Sequence, residues 1–244
     1  MGARERIGAW LGRACAPATA FVSRVRHGRM FHPEGWTYSG ICEVAADDAS
    51  FAPLATALEG RVLARFSGAL WRHERERFDV LGCALRFRRG PGAPLDHVAE
   101  VGDTDLLTAT IRSPLTMLLS PFATNAHDFV HARYWAVSPF EHAAVRFELR
   151  LSPVERAPPH AHAAPRAAQL ARAVATGAAA WWLEARRTLH LRWHRVGRVL
   201  LLAPARVDQE ALRFDPFRGV LRPVGLVHAM RRATYASSQA ARRS

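Results

Sequence analysis

Three short segments concentrate the side chains able to move protons, pair with anions or ligate a metal. The first runs Arg29-Met-Phe-His32-Pro-Glu-Gly35-Trp-Thr-Tyr-Ser-Gly40, a pattern R-x-x-H-x-x-G-x-x-x-x-G. The second is Ala64-Arg65-Phe66-Ser67, followed by Gly82-Cys-Ala-Leu-Arg-Phe87. The third is Arg222-Pro-Val-Gly225, then Arg231-x-x-x-Tyr235, Ser237-Ser238 and Arg242. Histidine is the side chain most used for general acid–base work. A planar guanidinium suits a carboxylate. Each candidate also has a plainer reading. His32 stands before Pro33 and could be a turn residue. Arg65 could be one outward residue of a strand, and Arg231 with Tyr235 a surface pair on an arginine-rich helix.

Strands must position most of these groups. Arg61–Ser67, Val80–Arg88 and Ala144–Leu151 read as strands, the last alternating Val145, Phe147, Leu149, Leu151 against Arg146, Glu148, Arg150. Asp103 to Leu107, then Thr116 to Leu119, suggests a further strand with an apolar continuation, and Val196–Ala203 another. Gly90-Pro-Gly-Ala-Pro94 marks a turn. Residues 1–28 read as a partly helical arm. A short helix is expected around Asn125–Arg133, an Ala-rich helix over 166–187, and a last helix from about Leu226 to Ala241. Residues 153–166 form a Pro-rich loop. Its His160 and His162 could ligate a metal, but no third ligand is placed nearby in the sequence.

Composition bounds the function. The chain has 244 residues, 49% of them hydrophobic and 23% charged, which is globular. One domain, 29–244 after the arm, fits that length. The net charge is +13, from 34 Lys+Arg against 21 Asp+Glu. All the basic residues of that count are arginine, so Schiff-base, P-loop and kinase-type lysine chemistry is excluded. The charge raises nucleic acid or an anionic membrane as a partner, but the arginines are scattered and no nucleic-acid-binding motif accompanies them. No G-x-S-x-G elbow, H-E-x-x-H helix or G-x-G-x-x-G fingerprint is present. Cys15, Cys42 and Cys83 are too few and too irregular for a disulfide framework. The longest apolar stretch of the C-terminal half, Ala173–Leu183, is too short to span a bilayer, and the N-terminus does not read as a signal peptide. A cytoplasmic location is expected.

Taken in order, these motifs resemble the catalase-like haem proteins, and most of all their compact bacterial branch. The likeness runs through the His-containing Gly motif, the Arg-Phe-Ser strand, Gly-x-Ala-x-x-Phe and Asp105-Leu106. It continues with Tyr134-Trp135, Pro139-Phe140, Val145-Arg-Phe and the terminal Arg-Pro-x-Gly … Arg-x-x-x-Tyr … Arg, over roughly residues 24–243. The resemblance implies an α+β fold, an antiparallel β-barrel with flanking helices, holding haem b and acting on hydrogen peroxide or an organic hydroperoxide. Homo-oligomers are compatible with it. His32 falls on the distal histidine, which accepts and returns a peroxide proton, and Ser67 on the serine that orients it. Arg29 and Arg65 fall on arginines that pair with haem propionates. Tyr235 falls on the tyrosinate that ligates the iron. A free phenol has a pKa of about 10, and Arg231, one helical turn earlier, would favour the phenolate.

The family carries an asparagine shortly after its Asp-Leu pair. Here Asp105-Leu106-Leu107 is followed by Thr108-Ala109-Thr110. That departure points to slower, peroxidase-like chemistry, or to a non-catalytic catalase-fold module that binds haem, lipid or a partner protein. If the assignment holds, His32→Ala abolishes peroxide turnover by the haem-loaded protein while its Soret band persists. Undiminished turnover removes His32 from this role.

Overall fold

The computed structural model describes residues 34–69, 78–112, 119–136, 138–155 and 164–225. Ten strands form one sheet: β1 (Trp36–Val44), β2 (Gly60–Gly68), β3 (Leu81–Arg88), β4 (Thr104–Ala109), β5 (Tyr134–Trp135), β6 (Phe140–His142), β7 (Val145–Pro153), β8 (Ala180–Arg187), β9 (His194–Pro204) and β10 (Arg222–Pro223). Among the described residues three α-helices accompany them, α1 (Ala52–Leu58), α2 (Ser120–Ala123) and α3 (Arg166–Ala175), with a 3-10 turn at Ala49–Phe51.

All pairings are antiparallel. The sheet runs β10-β6-β7-β5-β4-β3-β2-β1-β9-β8, and β7 also pairs with β8 along Phe147↔Arg187 to Pro153↔Trp181. That second pairing closes β1, β2, β3, β4, β5, β7, β8 and β9 into an eight-stranded barrel. The short β6–β10 ribbon extends from the first half of β7. The expected antiparallel barrel with a few helices is therefore the observed architecture.

Alternation along the strands sorts the side chains. Tyr38, Val62, Ala64, Phe66, Cys83, Leu85, Phe87, Leu106, Leu149, Leu151, Trp181 and Leu183 fill the barrel interior. Phe66 packs against Trp181, Tyr134 and Phe129 with ring centroids 5.2, 5.9 and 5.8 Å away. Burial pushes the Cys42 thiol up to about 12 and raises that of Cys83 further. Both are inert apolar residues here. The barrel's outer face is covered in part by the segment from Ala205 to Leu221. Its Leu212 packs with Leu63 and Leu95.

An ionic clasp holds that segment down. The Arg86 side chain is fully buried on the outer face of β3 and donates to Asp105 Oδ1 at 2.9 Å and Oδ2 at 3.2 Å. It also donates to the carbonyls of His97 and Arg213. Asp105 Oδ2 accepts from the Asp215 amide and from Arg218. All three guanidinium nitrogens of Arg86 and both carboxylate oxygens of Asp105 are hydrogen-bonded, the condition under which burying such charges is tolerable. The neighbouring Asp103 is pushed up by burial. Hydrogen bonds from Arg88 and the Glu100 amide, with the Arg88 and Arg86 charges, outweigh that and hold it below the usual range. A depressed carboxyl contributes stability above the ordinary aspartate range and loses it as pH falls.

Two helical expectations are corrected. The Ala-rich stretch 166–187 is helix only to Ala175. Gly177, at φ +71°, takes the left-handed position, and the amides of Gly177 and Ala178 return to Val174 and Ala173. This is a Schellman stop, and Ala180–Arg187 then joins the sheet between β7 and β9. Around 125–133 there are turns, built by Asn125 and Asp128 accepting from backbone amides two and three residues on. The helix lies earlier, at Ser120–Ala123. Thr104–Ala109 is the strand expected from Asp103. Its apolar continuation, the 1–28 arm and the 226–241 helix lie outside the described residues, apart from Leu119, which sits in a turn.

Removing the Arg86 fork takes from the buried Asp105 its fully buried counter-charge and leaves it only the partly exposed Arg218 as counter-charge. Arg86→Ala should lower the unfolding free energy by about 3–5 kcal/mol in urea titration. A loss below about 1 kcal/mol would show that the clasp does not hold the segment.

Candidate functional site

Of the six residues expected to form a site, Arg65 and Ser67 are described. Arg29, His32, Arg231 and Tyr235 lie outside the described residues, as do His160 and His162. Arg65 and Ser67 sit two apart on β2, so they share a face. Val62, Ala64 and Phe66 belong to the interior cluster, and Leu63 to the outer one. Arg65 and Ser67 therefore point outward with Leu63, yet both are buried.

Register fixes their neighbours. Ser67 lies opposite Gly82, and Gly82 opposite Ala109. Arg65 lies opposite Ala84, and Ala84 opposite Leu107. The outward surface beside the arginine and the serine is thus made of Gly82, Ala84 and Ala109, with Leu107 at the end of the arginine's row. The outward β4 position in line with Ser67 is Ala109, one of the three residues standing where the resemblance calls for an asparagine.

Arg65 is fixed by its surroundings. Its Nε lies 3.4 Å from Gln209 Oε1, and Gln209 donates to Thr37 Oγ1 at 2.6 Å. Thr37 is the register partner of Arg65 on β1. Gly35 presses on the same guanidinium. A Cβ built there would stand 2.5 Å from Arg65 Cζ and 2.7 Å from Nε. Gly35 of the R-x-x-H-x-x-G motif thus sits directly against the Arg65 guanidinium. That contact gives a physical reason for the glycine, and it puts the first two sequence motifs in contact.

Sequence reasoning did not single out two other polar groups at this end of the barrel. Arg166, at the start of α3, is buried, with Nη1 3.6 Å from Asp79 Oδ2 and 2.9 Å from the Ala126 carbonyl. Its guanidinium lies 5.1 Å from the Phe129 ring centroid. Asp79 also accepts from the amides of Ala69 and Val80. This buried pair ties α3 and the 126–130 turns to the ends of β2 and β3. No local pattern marks it, because its partners are 87 residues apart in a chain rich in arginine. Gln209 likewise has no motif around it. Tyr134, one of three tyrosines, donates to the Phe129 carbonyl at 2.7 Å inside the core, and burial raises its phenol well above the ordinary value. It is a packing residue. Among the described residues, no group of three or more His, Cys, Asp or Glu is placed to hold a metal ion. None of their helices is long and apolar enough to cross a membrane.

No family model matches the chain, and no curated protein is similar to it in sequence. Solved structures are similar in fold. A fungal catalase superposes with a TM-score of 0.61 at 13% identity, covering 88% of this chain and 59% of that one. Catalase A from Saccharomyces cerevisiae gives a TM-score of 0.61 at 13% identity, with 88% and 60% covered. The chain shares the catalase fold and spans about three-fifths of the length of these two proteins.

A methyl group at position 35 cannot fit without moving Arg65. Gly35→Ala should cost about 1–3 kcal/mol in chemical denaturation, the usual penalty of overpacking. An unchanged midpoint would mean that the arginine is not clamped at this contact.

Proposed function

We propose that this protein binds haem b against the outer face of β2–β4 and carries out peroxide or hydroperoxide chemistry of reduced catalase character. One observation supports this reading above the others. Arg65 and Ser67 stand side by side on the outward face of a catalase-fold barrel, beside a surface of Gly82, Ala84 and Ala109. The chemistry of these described residues suits the group, with Leu107 as an apolar neighbour on the arginine's row. A buried guanidinium can meet a propionate, a hydroxyl can orient a base, and small side chains admit a planar ring.

Arg65, with Arg29, would hold the propionates. Tyr235 would ligate the iron, with Arg231 favouring its phenolate. When bound, the haem iron supplies the centre at which the peroxide O–O bond is broken. His32 would take the proton from the peroxide oxygen and return it, and Ser67 would keep the imidazole turned for that transfer. Ala109 offers a methyl in the row with Ser67 where an amide could otherwise hold the second oxygen. That absence favours slow peroxidase-like turnover over rapid dismutation. It also supports the second reading, a haem-binding module with negligible turnover.

The deciding measurement is an absorption spectrum of protein expressed with a haem precursor. A Soret band is expected, and its absence at every haem loading overturns the proposal. Peroxide consumption by the loaded protein then separates the two readings. In that protein, Ala109→Asn should raise peroxide consumption by about tenfold or more, in line with the restored amide. No increase would mean that position 109 does not face the reacting oxygens.

A further inference from the structure

The β8–β9 hairpin carries a surface that the site above does not use. Its tip, Thr188 to Trp193, exposes Leu189 at 96% and Leu191 at 89%. Leu189 is also held at φ +73°, the left-handed region that a branched apolar side chain rarely enters. The tip is a tight turn in which the His190 amide donates to the Arg187 carbonyl at 3.0 Å. Glycine or asparagine would satisfy that turn at no steric cost. A leucine there is disfavoured by its backbone and gains no burial from its own fold.

The flanks of the tip are cationic. From Ala185 to Val207 the chain contains no Asp or Glu, while Arg186, Arg187, Arg192, Arg195 and Arg198 cluster around the hairpin. Arg187, Arg192 and Arg195 are exposed. The base of the hairpin is stiffened by stacking. Arg150 and Arg186 lie over the Trp193 ring at 4.2 and 4.7 Å, and Arg195 lies over Trp182 at 4.2 Å. His194 reaches Asp47 and Asp48 at 3.3 and 3.4 Å. The two leucines are thus presented on a braced hairpin flanked by guanidiniums, with Asp47 and Asp48 set back against its base at His194.

We propose that this tip docks on an anionic lipid bilayer surface, inserting Leu189 and Leu191 at the headgroup boundary while the arginines meet the lipid phosphates. Apolar tips with basic flanks suit that interface, where apolar burial and attraction to anionic lipid add. Nucleic acid fits less well. The leucines have no face for a base to stack on, and the indoles that could stack are already covered by arginine. The tip lies at the barrel end where Val44 pairs with Gly197, whereas Ser67 lies at the end where Trp36 pairs with Phe66. Along β2 that is a separation of about 25 Å. Docking here leaves the proposed haem face open, and the two proposals stand or fall separately.

The test is flotation of the full chain with vesicles of phosphatidylcholine alone and of phosphatidylcholine with phosphatidylglycerol, at physiological salt. The protein should float with the anionic vesicles and remain with the soluble fraction against the neutral ones. Leu189→Ser/Leu191→Ser should weaken that partition by about tenfold or more while leaving the circular dichroism spectrum unchanged. Arg187→Gln/Arg192→Gln should weaken it too and flatten its dependence on phosphatidylglycerol content. Vesicle binding that the leucine variant leaves intact would reduce the effect to the general +13 charge and overturn the proposal. So would failure to float, self-association lost in the leucine variant without lipid binding, or salt-resistant binding to an oligonucleotide through the same arginines.

Discussion

Pairing of β7 with β8 is the constraint on which the rest of the structure depends. Without it the sheet would be an open ribbon with β10 and β8 at its edges. With it, the ring of strands has an inside and an outside, and every strand must place alternate residues on each. The interior then fills with Phe66, Phe87, Tyr134, Leu151 and Trp181. The outside receives what the interior cannot hold, including Arg65, Arg86, Asp103 and Asp105. Those charges are still buried, because a returning segment covers them and supplies carbonyls and counter-charges. Closure therefore produces two regions of different character from one set of strands. One is an apolar core, and the other a polar outer layer in which a cofactor or substrate could be recognised.

The parts of the fold legible in the sequence were those in which local pattern and tertiary role agree. In β7 the alternation of Val145 to Leu151 needs no more than one buried face, and the strand forms as expected. β2 and β3 are buried on both faces and were legible instead as short, mostly apolar runs bounded by turn residues, and Gly90 and Gly92 adopt the positive φ that their turn required. β8 was not. Its Ala-Trp-Trp-Leu-Glu-Ala-Arg-Arg is made largely of residues that favour helix, and only pairing with neighbours on both sides makes it a strand. The visible clue was Gly177, a C-terminal stop inside a supposed long helix. β1 was read only as part of a motif, because both its faces are largely buried and its alternation is weak.

The candidate site was legible as residue types and order, but not as a surface. Arg65 and Ser67 were singled out, and the structure puts them on one buried face. What the sequence could not show is that Gly82, Ala84 and Ala109 lie beside them. That follows from the register of three strands separated by long connections. Nor could it show that Gly35 bears on Arg65, since a contact between residues 30 apart has no local signature.

The arginine excess also reads differently once placed in the fold. Charge alone suggested a polyanion, with no way to tell which arginines were available to one. Burial divides them. Arg65, Arg86 and Arg166 are inside the structure, held by Gln209, Asp105 and Asp79. Arg150 and Arg186 are neutralised by Glu184 and Glu148 and stacked on Trp193. The arginines left facing water beside exposed leucines are those of the β8–β9 tip. A long-range attraction to any polyanion follows from the total charge and fades with salt. A surface that combines a few exposed guanidiniums with two exposed leucines, one of them held in the left-handed region, asks for a ligand with both an anionic and an apolar layer. That requirement comes from where the charges sit rather than from how many there are.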